Sequence, residues 1–185
     1  FADAVMGNLQ ATLAQVDLAE FDAISALLAD PGRRIYATGG RITHALADYF
    51  VTHMDVIRPN VSLLSNRGSA WPPALVDMKA GDVLLVLDIR RYENNVLQLV
   101  EMVAELGAEV VLITDQWISP AAAHARHRLS AHVEAPSAWD STVAIQLLLE
   151  TLLASVENQT WTGTQARMQR LEDLYAKVRF FRRGK

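Results

Sequence analysis

The sequence predicts an α/β fold: a three-layer αβα sandwich on a five-stranded parallel sheet of flavodoxin-like order 2-1-3-4-5, with extra N- and C-terminal helices. Short apolar runs alternate with helix-periodic segments along the chain, the pattern of strands joined by helical crossovers. Val83 to Leu87 are all apolar, as in a strand buried on both faces. Soon after them Val96, Leu97, Val100, Val103 and Ala104 recur at helical spacing. A parallel sheet gathers the carboxyl ends of its strands on one rim, where ligands of open α/β sheets bind.

Phe1, Val5, Leu9, Leu13 and Val16 make one stripe of a first helix, and a second covers roughly Glu20 to Leu28, ended by Asp30-Pro31-Gly32. Ile35 to Ala37 is a short strand, Thr38-Gly39-Gly40 the turn after it, and a helix runs from about Arg41 to Met54. Val61 to Leu64 is the expected second strand, and Ser65 to Pro73 reads as a long polar loop of the kind that often carries function. The third strand, Val83 to Leu87, passes through Arg90-Arg91-Tyr92 into a helix from about Asn94 to Leu106, which Gly107 stops in a left-handed cap. Glu109 to Ile113 is the fourth strand, ending at Thr114-Asp115, and Ser119-Pro120 starts a short helix. Leu129 to Glu134 is a weak fifth strand. Ser137 and Asp140 are spaced as a capping box for an apolar, buried helix from about Trp139 to Val156. Thr162 or Thr164 opens a last helix with Leu171, Leu174, Tyr175 and Val178 on one face. With no repeat, low-complexity stretch or linker, residues 1–185 read as a single domain.

Bulk properties narrow the function classes. Of the 185 residues 51% are hydrophobic and 21% charged, ordinary for a folded domain, and none is cysteine, so disulfides and thiolate metal sites are excluded. The net charge of −4 and scattered basic residues argue against a duplex-binding surface. The exception is a C-terminal cluster, Arg179, Arg182, Arg183 and Lys185, read as a solvated helix end. No apolar run reaches the ~18 residues that cross a bilayer and no signal peptide is visible, so the expected setting is the cytoplasm with no membrane partner. The chain starts at Phe1, and we expect it to be a fragment of a longer protein.

The candidate ligand residues lie on strand-terminal turns. Arg90 and Arg91 follow the third strand beside a helix N-terminus, which favours anions, and guanidinium groups bind phosphate or carboxylate bidentately. Their bland alternative is pairing with Asp88, with Glu93 or with a partner subunit. Gly39 and Gly40 allow close backbone approach or simply a tight turn, and Thr43 offers a hydroxyl to a ligand or to its own helix. Thr114, Asp115 and Ser119 are on the same rim but are explained by capping; Ser141 is placed to line the pocket, with Asp140 a cap. Five histidines (His44, His53, His124, His127, His132) lack metal-ligand spacing and read as solvated. Asp88 and Thr114 resemble a receiver-domain phosphoacceptor pair, but the turn after the first strand has no acid and that after the fifth no lysine.

Several motifs, in order, resemble the SIS (sugar isomerase) domain: Ile35-Tyr-Ala-Thr-Gly39-Gly40-Arg41-Ile-Thr43, then Gly81-Asp82 before an apolar strand, Gly107-Ala108, Val110 to Asp115 with Ser119-Pro120, and Trp139-Asp140-Ser141 before an apolar helix. Within that group the chain is most similar to the C-terminal effector domain of RpiR-family bacterial transcriptional regulators, which carry an N-terminal helix-turn-helix domain and a helical connector resembled by Phe1 to Asp17. The family's phosphosugar loop, commonly Ser-x-Ser-Gly-x-Thr, falls on Asp88 to Glu93, where Asp88, Arg90, Arg91 and Glu93 replace its serines, glycine and threonine.

The resemblance implies a ligand-sensing domain that binds a sugar phosphate or related anionic carbohydrate through Gly39, Gly40, Arg41, Thr43, Asp88, Arg90, Arg91, Tyr92 and Ser141. No cofactor, metal or catalytic set is expected, and DNA is contacted only by an N-terminal domain absent from this sequence. It also implies a homodimer or higher homo-oligomer, with the stripes of the first and last helices as candidate surfaces. The competing expectation is a phosphosugar isomerase, for which Glu93, Glu150 and His44 are the candidate acid–base groups.

Overall fold

A computed structural model of the chain describes residues Phe1–Val178. The strands β1 (Ile35–Gly39), β2 (Val61–Leu63), β3 (Val83–Asp88), β4 (Glu109–Asp115) and β5 (His127–Ala131) form one parallel sheet in the order β2-β1-β3-β4-β5. The helices are α1 (Ala2–Gln15), α2 (Leu18–Ala29), α3 (His44–Ile57), α4 (Pro72–Asp77), α5 (Asn94–Glu105), α6 (Val143–Gln159) and α7 (Trp161–Val178).

Strand alternation explains the three layers. In β3, Val83, Leu85 and Leu87 point to the face covered by α2, α3 and α6, whereas Leu84 and Val86 point to the face covered by α5. All five are fully buried, each contributing ~1.5–3 kcal/mol of apolar burial, so the continuous apolar run has no solvent face to spare. Gly107 adopts φ 77° after α5, the left-handed cap its identity predicts.

Register fixes which residues meet at the carboxyl rim. Gly39 stands beside Leu87, Asp88 beside Thr114, and Asp115 beside Ala131. The turns after β1, β3 and β4 therefore share one edge.

Five boundaries differ from the sequence reading. Helix α3 begins at His44, because residues 41–43 form a turn whose Thr43 hydroxyl donates to Leu87 O across the sheet (2.6 Å). The expected loop from Ser65 to Pro73 contains a 3-10 turn, Gly68–Ala70, and opens α4; buried Trp71 closes it by donating Nε1 to Ser65 O (2.7 Å). Strand β5 is displaced toward the N-terminus, since Arg126 N already bonds Val110 O (3.0 Å) while His132 N turns to the Thr12 hydroxyl (2.9 Å). The capping box is absent: α6 begins at Val143 after Thr142, and Asp140 is drawn to Arg90 instead. Finally, α7 begins at Trp161, ahead of the expected Thr162 or Thr164, and is anchored near its start by Thr164 and Arg167, which donate to Ile57 O and Asp55 O; Leu174 and Val178 on its expected apolar face are exposed. The basic cluster Arg179, Arg182, Arg183 and Lys185 lies outside the described residues.

Candidate functional site

The rim is built from three turns. After β1, Gly39 is held against the start of α3; a Cβ there would stand 2.7 Å from Thr43 C and 2.8 Å from His44 N, so only glycine lets the strand end meet the helix. Gly40 N bonds Leu87 O (3.2 Å), tying this turn to the neighbouring strand. Arg41 N, the next amide, donates to Glu93 Oε1 (2.6 Å). The Thr43 hydroxyl bonds neither its own helix nor open solvent, being committed as a donor to β3.

The turn after β3 is fastened to the turn after β4. Asp88, 2% exposed, accepts from the Ser119 hydroxyl, and that hydroxyl in turn accepts from Ala121 N (3.1 Å) to cap the following 3-10 turn, Pro120–Ala123. Burial pushes the Asp88 carboxyl up to about 6, against the Ser119 hydroxyl and the Glu93 backbone N–H, which lower it, while the charges of Glu93 and Asp115 raise it further. Asp115, fully buried, is the hub of the region: its carboxylate accepts from Arg90 N (2.7 Å), Tyr92 OH (2.7 Å), Trp117 N (3.0 Å) and Ile118 N (3.2 Å). Burial first, then this bond to Asp115, pushes the Tyr92 phenol well above its ordinary range. The bonds to Asp115 also hold Ile118 at φ 65°, a region that β-branched residues rarely enter.

Arg90 is exposed but paired. Its Nε donates to Asp140 Oδ2 (2.7 Å), its Nη2 to Asp140 Oδ1, and its guanidinium lies 4.0 Å over the Trp117 ring. Within the chain the partner of this arginine is therefore Asp140, not Asp88 or Glu93. Ser141 is buried just before α6: its N–H donates to Val133 O (2.8 Å) and its hydroxyl accepts from Val143 N (3.4 Å). Arg41 and Arg91 are exposed, and neither guanidinium has a partner among the described residues.

Gly39, Gly40, Arg41, Thr43, Asp88, Arg90, Arg91 and Tyr92 thus share one rim, with Ser141 just before α6. The positive charge of that rim is offset in number by Asp88, Glu93, Asp115 and Asp140, of which Asp140 pairs with the Arg90 guanidinium while Glu93 and Asp115 accept from the backbone N–H of Arg41 and Arg90. Sequence reading passes over Trp117 as the plate under Arg90; it weighs Glu93 as a partner of Arg90 or Arg91, and the structure sets that carboxylate on the Arg41 amide instead. Of the histidines, His124 lies near Glu101 and His127 near Glu20, and no group of acidic and histidine side chains suited to a metal occurs among the described residues. No helix among those residues is long and apolar enough to cross a membrane.

A family model for the SIS domain matches residues 27–155, which span β1 to β5 and most of α6. The chain belongs to the SIS domain family. No curated protein matches it. Among solved structures, the sugar isomerase domain of an RpiR transcription factor from Sphaerobacter thermophilus shares its fold at TM-score 0.85 and 21% identity, over 94% of this chain and 96% of that one. The Vibrio vulnificus NanR protein complexed with ManNAc-6P matches at TM-score 0.80 and 15% identity, over 96% of this chain and 68% of that one. The phosphoheptose isomerase GmhA from Neisseria gonorrhoeae matches at TM-score 0.67 and 18% identity, over 85% and 95%. The same SIS fold thus occurs in regulators and in isomerases.

Proposed function

We propose that this chain is the ligand-sensing domain of a cytoplasmic RpiR-type transcriptional regulator, taking a sugar phosphate or related anionic carbohydrate at the carboxyl rim. The observation that carries the reading is the fold likeness to an RpiR effector domain over nearly the whole chain, together with a relative solved in complex with ManNAc-6P. The rim supports it chemically. Backbone of the Gly39-Gly40-Arg41 turn lies beside the turn of Arg90, Arg91 and Tyr92, and the exposed guanidiniums of Arg41 and Arg91, without a partner among the described residues, are offered to an anion. Asp88, Thr43 and Ser141 complete the proposed surroundings as groups that hold those turns in place.

The ligand acts by population shift, favouring one arrangement of a homodimer and so altering DNA binding by another domain of the same polypeptide. The exposed apolar faces of α1 (Phe1, Met6, Leu13) and α7 (Leu174, Val178) are the surfaces proposed for that homodimer.

A phosphosugar isomerase is the second reading, favoured by the likeness to GmhA and by His44, whose buried Nδ1 has no hydrogen-bond partner. The other candidate bases are engaged: Glu93 holds Arg41 N, and Glu150 accepts from Tyr49 OH (3.0 Å) and from Gln146 (3.1 Å).

Thermal unfolding against a panel of sugar phosphates and sugar acids tests the sensor. A true ligand at a hundredfold excess over Kd stabilises by about 2.7 kcal/mol, and Arg91→Ala or Arg41→Ala should reduce the shift. No stabilisation by any member of the panel would count against the sensor, and turnover of an aldose phosphate to its ketose would replace it by the enzyme.

A further inference from the structure

Glu93 belongs to the turn after β3, yet its carboxylate crosses to the turn after β1 and accepts from Arg41 N at 2.6 Å. A Cβ at position 40 would approach the same carboxylate oxygen to 3.1 Å, so glycine at that position gives Glu93 its room. The amide it holds is at the carboxyl rim of a parallel sheet, on the turn that carries exposed Arg41 and next to the turn that carries exposed Arg91, neither guanidinium being partnered among the described residues. A negatively charged oxygen on a backbone N–H, on a rim that carries two exposed arginines, has the chemistry of a bound phosphate or carboxylate, but it comes from the chain itself.

We propose that Glu93 is a built-in competitor for the ligand's anionic group: its carboxylate fills the anion place on the β1–α3 turn, and a ligand phosphate or carboxylate binds there only by displacing it. The inference rests on the sensor reading and adds the residue that sets its affinity threshold. Displacement lowers the apparent affinity by the fraction of molecules in which Glu93 has swung away, a cost common to every anion. A bare anion cannot recover that cost, whereas a sugar phosphate can through contacts along its hydroxyls. Glu93 therefore weakens binding of inorganic phosphate and of a sugar phosphate by the same factor, which leaves the place empty of inorganic phosphate at concentrations where a sugar phosphate, held also by its hydroxyls, still binds; Arg41 and Arg91 receive the incoming charge once the carboxylate has left.

The test uses inorganic phosphate as probe, titrated into the whole chain at ionic strength matched with chloride, with the Arg41 amide resonance and the heat of binding as readouts. Glu93→Ala should bind phosphate at least about tenfold more tightly than the wild-type chain, with the Arg41 amide shifting in phosphate and not in chloride. Glu93→Gln keeps an acceptor of the same shape without its charge and should fall between, which keeps the test available if the alanine variant folds poorly. Adding Arg91→Ala to Glu93→Ala should remove most of the gain. If neither variant binds phosphate more tightly than wild type, Glu93 does not compete and the proposal is overturned, even where a sugar phosphate still stabilises the wild-type chain. A gain in phosphate affinity alongside a panel of sugar phosphates that leaves the wild-type chain unshifted supports the competitor role and counts against the sensor.

Discussion

Arg90 and Asp140, fifty residues apart, meet through two hydrogen bonds, with the guanidinium carbon 4.0 Å from the centre of the Trp117 ring. This contact ties the turn after β3 to the segment that precedes α6. The carboxylate is the more enclosed partner, at 13% side-chain exposure against 41% for the arginine, so the pair is partly screened by solvent. A double-mutant cycle of Arg90→Ala and Asp140→Ala, read by urea unfolding, should give a coupling of about 1 kcal/mol. Coupling indistinguishable from zero would mean that the contact is incidental. Since Arg90 is committed internally, Arg90→Ala should weaken ligand binding less than Arg91→Ala.

Asp88 makes stability depend on pH in a predictable direction. Its folded-state value of about 6 lies above the ordinary 3.8, so the folded chain binds this proton more tightly than the unfolded one. That contribution is fully present below pH 3.8, declines as pH rises through about 6, and is absent above it. Asp88→Asn, whose amide oxygen still accepts from Ser119, removes it. Between about pH 5 and 7 the wild-type chain should lose about 1 kcal/mol more than Asp88→Asn. Parallel losses in urea unfolding would show that Asp88 keeps an ordinary acidity.

The difference between what the sequence discloses and what it hides follows from distance along the chain. Strand order, the buried β3 and the shared rim of Gly39 and Asp88 are legible because apolar runs and helical spacing are local signals, and right-handed crossovers leave few ways to arrange them. The family likewise announces itself through short motifs in order. The state of each rim side chain is not local. Asp140 reads as a helix cap until the fold brings it to Arg90, and Glu93 reads as a lost threonine until the fold sets it on Arg41 N. Charge compensation across a rim is a tertiary property, which is why a turn rich in arginine suggests an emptier and more positive site than the one that forms.

The free edge of β5 is satisfied by side chains in place of a further strand. Arg128 N donates to Glu20, Ser130 O accepts from Gln15, His132 N donates to Thr12, and just past the strand Glu134 O accepts from Asn8. Asn8, Thr12 and Gln15 follow helical spacing on α1, so one helix face reads out the period-two edge of a strand. Thr12 is fully buried, and Thr12→Val keeps its shape while leaving the His132 amide without a partner. The cost should be about 1–3 kcal/mol. Amide exchange at His132 should accelerate in this variant while that at Leu85 in β3 tracks global stability; unchanged exchange at His132 would remove Thr12 from the edge-protecting role.

Two adjacent glycines should respond differently to the same added methyl. At Gly39 the new Cβ meets backbone atoms of Thr43 and His44 at 2.7 and 2.8 Å, so β1 and the start of α3 must part, an overpacking strain of about 1–3 kcal/mol or more. At Gly40 its nearest neighbour is the Glu93 carboxylate at 3.1 Å, the end of a side chain that can swing aside. Gly39→Ala should therefore lower the unfolding midpoint well below that of Gly40→Ala. Gly40→Ala should instead act on the anion place, loosening Glu93 from Arg41 N and shifting the Arg41 amide resonance while most of the stability remains. Equal destabilisation by the two alanines would show that the rim tolerates crowding at either turn alike, and that the close contact of Gly39 with α3 is not what sets the geometry of the β1 end.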